Sequence, residues 1–135
     1  MKRIITPPEL APPRGFNHGI LCSGGRTLFL AGQDASDGNG NIVCHGDIVG
    51  QYEQVIKNLQ AVCHAAGGTL QDIVKLNIFV SDVTLYKKHL RELGQVHKSY
   101  FGKYYPTTAL FEITGFYQEG NLVELEGIAY LDGEA

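Results

Sequence analysis

Along residues 48–66, apolar side chains recur at alternating steps of four and three: Ile48, Tyr52, Val55, Leu59, Val62 and Ala66. Such spacing returns to one side of a helix for about five turns. Asp47 just before it is a side-chain N-cap, and Gly67-Gly68 just after it is a stop. A helix with one apolar stripe must bury it against another element, so the rest of the chain has to supply a second layer.

The second layer reads as strands. Residues 73–80 alternate, with Val74, Leu76, Ile78 and Val80 on one face and Lys75, Asn77 and Phe79 on the other. Two more strands are expected near 107–113 and 122–131. Ala109, Phe111 and Ile113 share one face of the first, leaving Thr108, Leu110 and Glu112 opposite. Val123, Leu125, Ala129 and Leu131 share one face of the second, with Leu122, Glu124, Glu126, Ile128 and Tyr130 opposite. A second helix is expected from about Thr84 to Phe101, its stripe made of Tyr86, Leu90, Leu93, His97 and Tyr100. Upstream, the first fourteen residues carry four prolines and read as extended. Ser23-Gly24-Gly25-Arg26 reads as a hairpin turn before the apolar run 28–31, and Asp37-Gly38-Asn39-Gly40 as a loop. The expected order is β-β-α-β-α-β-β. This is an α+β fold in which two helices cover one face of a mixed sheet, formed by one domain spanning residues 1–135.

The uncovered face then carries Phe79, Leu110, Leu122, Ile128 and Tyr130 beside Lys75, Asn77, Thr108, Glu112, Glu124 and Glu126. It is too apolar for water and too polar for a dry core, which predicts a subunit interface with ligand in its clefts. A net charge of −3, with no basic stripe, argues against nucleic-acid binding. No apolar run reaches the roughly 18 residues of a membrane span. The proline-broken start lacks the apolar core of a secretory signal, so the cytosol is the expected compartment. Cys22, Cys44 and Cys63 lack framework or zinc spacing and are expected to be reduced and buried. No metal or cofactor is expected: His45 and His64 match no zinc pattern, residues 34–45 lack the closing glutamate of a calcium loop, and no phosphate-binding glycine fingerprint follows a strand.

Several fragments in order resemble the RidA (YjgF) family over nearly the whole chain. They are Phe16-Asn17-His18-Gly19, Leu30-Ala31-Gly32-Gln33, Asn58-Leu59, Ala65-Ala66-Gly67-Gly68-Thr69-Leu70, the run 74–82, Tyr100-Phe101, Tyr105-Pro106 and the run 123–129. The resemblance implies a chorismate-mutase-like subunit, a homotrimer with sites in its three clefts, and a small-metabolite ligand. The best-known members hydrolyse 2-imino acids to 2-keto acids and ammonia. In them an arginine two residues after the proline before the strand holds the substrate carboxylate, and a glutamate in the last strand handles water or protons.

This chain departs from that pattern. The position two beyond Pro106 is Thr108, which cannot offer a charged two-pronged donor. Losing such a contact weakens carboxylate binding roughly 10- to 100-fold unless another cation, Lys75 or Arg14, stands in. Ala31 occupies the place of a site serine, Gly94 that of a helical asparagine, and Phe16 that of an aromatic with a hydroxyl. The glutamate remains, as Glu124. The resemblance therefore implies a site built from Phe16, Asn17, Ala31, Gly32, Gln33, Gly94, Thr108, Leu110 and Glu112. Glu124 and His18 are its candidate acid–base groups, and backbone amides near Gly32 and Leu110 are candidate substrate donors.

Each candidate has a structural alternative. Glu124 could be a paired sheet-face carboxylate, Glu112 and Glu126 could be interface ion pairs, and His18 could be bonded to a loop carbonyl. His97, on an apolar stripe, reads as a satisfied core residue. Two functions follow: a hydrolytic deaminase acting on an imine or enamine other than the simple 2-imino acids, or a metabolite-binding trimer without turnover. A ribonuclease reading conflicts with the acidic charge balance.

Overall fold

The computed structural model describes residues 1–133. Its elements are β1 (Lys2–Ile5), β2 (Gly19–Cys22), β3 (Gly25–Gln33), α1 (Ile48–Ala65), β4 (Ile73–Val80), α2 (Val83–Lys88), α3 (Leu90–Phe101), β5 (Thr107–Glu112) and β6 (Val123–Asp132), with one 3-10 turn at Leu70–Asp72. The main sheet runs β3-β6-β4-β5. The β4–β5 pair is parallel and the others are antiparallel. This is the expected α+β fold with a mixed sheet.

The long helix begins as its sequence dictates. The Asp47 carboxylate accepts from the Gly50 amide at 3.0 Å, satisfying one of the free N–H groups of the first turn. Ile48, Tyr52, Val55 and Leu59 are buried against the sheet, whereas Val62 and Ala66 lie only partly buried at its end. Gln51, also fully buried, accepts from the Leu122 amide and donates to the Gly120 carbonyl, tying α1 to the entry of β6.

Several expectations are corrected. Ser23–Arg26 is not a hairpin turn. β2 pairs with β1 in a separate two-stranded sheet, while β3 joins the main sheet, so the chain changes sheets there. The second helix is broken at His89, whose N–H reaches the carbonyls of both Leu85 and Tyr86 while its ring Nδ1 also meets the Leu85 carbonyl. Beyond the break Leu90 is 55% exposed. A bulge between Ile73 and Lys75 turns Ile73, rather than Val74, toward the core. Cys44 is exposed, with φ 52°, whereas Cys63 is buried and Cys22 half-buried.

The largest correction concerns the faces of β5. Residues paired across a ladder project to the same side. Leu76 pairs with Thr108, Ile78 with Leu110 and Val80 with Glu112, so Thr108, Leu110 and Glu112 lie on the helix side. Asn77 and Phe79 pair with Ala109 and Phe111 on one flank and with Glu126 and Glu124 on the other, and these form the outer face. There Phe79 and Phe111 stack with centroids 5.6 Å apart, and Phe29 is 76% exposed. No helix among the described residues is long and apolar enough to cross a membrane.

Candidate functional site

Within the chain the candidate residues fall into two groups on opposite faces of the sheet. The first surrounds Glu124. Between Leu30 and Gln33, β3 holds one residue more than β6 opposite it, because Leu30 pairs with Gly127 and Gln33 with Leu125. The bulge contains Ala31 and Gly32. A Cβ at Gly32 would come within 2.5 Å of a Glu124 carboxyl oxygen, so this glycine leaves the space the carboxyl occupies. Partial burial raises the Glu124 carboxyl above its ordinary range, and the nearby charges of Asp34 and Glu126 raise it further. Asp34 is held by the Ser36 hydroxyl and by the Asn121 amide, which donates to it at 3.2 Å. Glu126 accepts from the Asn77 amide at 3.3 Å. Glu124 makes no ion pair among the described residues. A carboxyl so placed carries its proton at higher pH than a free one and can both give and take it.

The second group lines a cavity of about 460 Å³ on the helix side, between β4, β5, α1, α3 and the loop at residues 14–16. Phe16, Gly94, Thr108 and Leu110 all border it. The Thr108 hydroxyl donates to the Pro106 carbonyl at 3.0 Å and so is committed to its own turn. Arg14, one of the two stand-in cations, lines this cavity. Lys75, the other, belongs to the outer face.

Other candidates are engaged elsewhere. Glu112 accepts from the Val83 amide at 2.9 Å at the start of α2, so it caps that helix on the helix side, away from Glu126 on the outer face. His18 meets the Ala11 carbonyl at 2.7 Å through Nε2 and packs edge-on against Phe16. Asn17 donates to the Tyr105 carbonyl at 2.6 Å, fixing the loop that carries Phe16. His97 meets the Tyr104 carbonyl at 2.8 Å and stacks between Phe101 and Tyr105. Its burial holds its pKa below the usual histidine value.

Sequence reasoning misses Asp34 as a neighbour of Glu124, and Tyr52, Tyr86 and Tyr105 as cavity walls. Tyr52 and Tyr86 fall on helical stripes. Nothing in a helical period distinguishes a ring packed in the core from one that closes a cavity.

A family model described as Endoribonuclease L-PSP matches residues 6–131. A RutC family protein of Pyrococcus horikoshii is 31% identical over 131 residues, covering 96% of this chain and 98% of that protein. The mouse protein named 2-iminobutanoate/2-iminopropanoate deaminase is 27% identical over 104 residues, 77% of this chain and 73% of its own length. Among solved structures, the conserved Rid-family protein YyfB of Yersinia pestis superposes with a TM-score of 0.86 at 32% identity, covering 96% of this chain and 98% of that one. RidA of an Antarctic Psychrobacter superposes with a TM-score of 0.67 at 27% identity, over 90% and 92%.

Proposed function

The chain belongs to the RidA/L-PSP family, and from that premise we propose that it is a hydrolytic deaminase of an imine or enamine metabolite other than the simple 2-imino acids. Its site would be completed in the clefts of a homotrimer. The observation that carries this reading is the Glu124 carboxyl, raised above its ordinary range beside a bulge glycine, in a chain whose position 108 is a threonine. The family includes a named imine deaminase, which supports the reaction class. Exposed aromatics on the Glu124 face support a second copy docking there.

In the proposed reaction Glu124, as carboxylate, takes a proton from water as the water oxygen bonds to the imine carbon. The imine nitrogen takes up a proton from solvent, giving an amino alcohol; the later loss of the hydroxyl proton returns it. The protonated Glu124 then returns its proton to the nitrogen, the C–N bond breaks, and ammonia leaves. Loss of the hydroxyl proton leaves the carbonyl product. The sum is one imine and one water giving one carbonyl compound and one ammonia.

Glu124→Gln keeps the shape of the side chain and cannot take up a proton, so turnover should fall at least about 100-fold. Ammonia release and sedimentation measured on the same sample test this. Undiminished turnover in a variant of native oligomeric state would remove Glu124 from the mechanism.

A further inference from the structure

The cavity bordered by Thr108 has a chemical character of its own. Arg14 is the charged side chain of its lining. It is exposed and makes no ion pair among the described residues. Leu76, Ile78 and Leu93 supply apolar wall, and Phe16 and Tyr105 supply ring faces. At the other extreme from Arg14 stands Tyr52, only 4% exposed. Its phenol is crowded by Tyr86 and Tyr105 and desolvated, which keeps it neutral, and no hydrogen bond to a described residue satisfies its hydroxyl. Tyr52 borders the cavity and its hydroxyl is not sealed from solvent, so it is free to donate to whatever occupies that space. Gly94 widens the space, since a Cβ there would meet nothing within 4 Å.

The rim cation, the flat apolar walls and the unpartnered phenol on the floor fit one kind of occupant. We infer that this cavity binds a planar, largely apolar organic monoanion. Its carboxylate pairs with Arg14 at the rim, and a hydrogen-bonding group at its far end meets the Tyr52 hydroxyl. A volume of about 460 Å³ accommodates an aryl or polyenyl carboxylate and is far larger than a three- or four-carbon imino acid needs. The inference deepens the deaminase reading by naming the body of the substrate. It rests on that reading only for the reaction, not for the binding.

Isothermal titration of the full chain with 4-hydroxycinnamate, cinnamate and pyruvate tests it. Saturable binding of both aryl acids is expected, with 4-hydroxycinnamate the tighter and pyruvate far weaker. Arg14→Gln should weaken both aryl acids about 10- to 100-fold. Tyr52→Phe should erase the preference for the hydroxylated acid. Gly94→Leu should fill the cavity and abolish binding without lowering the melting temperature, because leucine is the better helix former. Failure of the unaltered protein to bind either aryl acid overturns the inference. So does aryl-acid binding that Arg14→Gln and Gly94→Leu leave unchanged. Aryl-acid binding without ammonia release from any imine would sink the deaminase reading alone, and imine turnover indifferent to Gly94→Leu would sink this inference alone.

Discussion

On the helix side of the main sheet, Leu76, Ile78, Val80, Val123 and Leu125 are each exposed by 5% or less. On the other side Phe29 is 76% and Phe111 46% exposed, beside the carboxyls of Glu124 and Glu126. The helix side is finished within one chain, apart from the cavity beside β5. Its helices bring enough apolar surface to cover the strands. The outer side has aromatic area that water does not favour and carboxyls that a dry core does not tolerate, which is why the proposed function places a second copy against it. Alternation along a single strand therefore separates neighbours: Leu125 packs in the core, and Glu124 stands on the outer face, where the proposed reaction would use it.

Substitutions at these neighbours should have different effects. Leu125→Ala should cost the subunit about 2–5 kcal/mol in chemical denaturation, because a fully buried side chain leaves a void in a packed core. The next position, Glu124→Ala, should leave that stability within about 0.5 kcal/mol while removing turnover. Equal losses at both positions would mean that the two faces are not divided as described. Phe29→Asp places a charge among the outer aromatics. It should shift the sedimentation profile toward monomer with little change in far-ultraviolet circular dichroism. An unchanged oligomer would point to a different contact surface.

Thr108→Arg restores a two-pronged cation on the helix side of β5 and should raise kcat/KM for simple 2-imino acids about 10- to 100-fold, measured as ammonia release. A variant no better than the parent would show that the helix-side cavity is not where the carboxylate binds.

The smallest effect concerns protons. Burial and the charges of Asp34 and Glu126 make the folded chain hold the Glu124 proton more tightly than the unfolded chain does. Folding is therefore favoured by protonation, and this contribution is lost as pH rises from the ordinary glutamate value of about 4.3 through the raised one. Glu124→Gln should accordingly melt slightly above the parent at neutral pH, with the gap closing below about pH 4. Scanning calorimetry across that range checks the sign.

Much of this architecture is legible in the amino-acid sequence. The stripe through Ile48, Tyr52, Val55 and Leu59 identifies α1 because a helix repeats the same question every turn, and Asp47 and Gly67 bound it. The faces of β5 are not legible. Alternation points the wrong way there: Ala109, Phe111 and Ile113 make the more apolar set, yet the parallel register with β4 turns Ala109 and Phe111 outward and Leu110 toward the helices. The break at His89 is hidden because the apolar period runs on from Tyr86 to Leu90 and Leu93 across it. Of the candidate site, Glu124, Gly32 and Ala31 can be brought together by family resemblance. Their separation from Phe16, Gly94 and Thr108 by the thickness of a sheet cannot, since it depends on long-range pairing.

The extra residue of β3 at Ala31-Gly32 has a mechanical consequence. Paired strands of equal length can slip past one another in steps of two with little change in which side chains face out. A strand carrying a one-residue mismatch cannot, because any slip moves the mismatch away from Gly32, whose missing side chain leaves room for the Glu124 carboxyl. The edge of the sheet is thereby locked in place, and the outer face inherits a fixed origin from which the spacing of its side chains is measured.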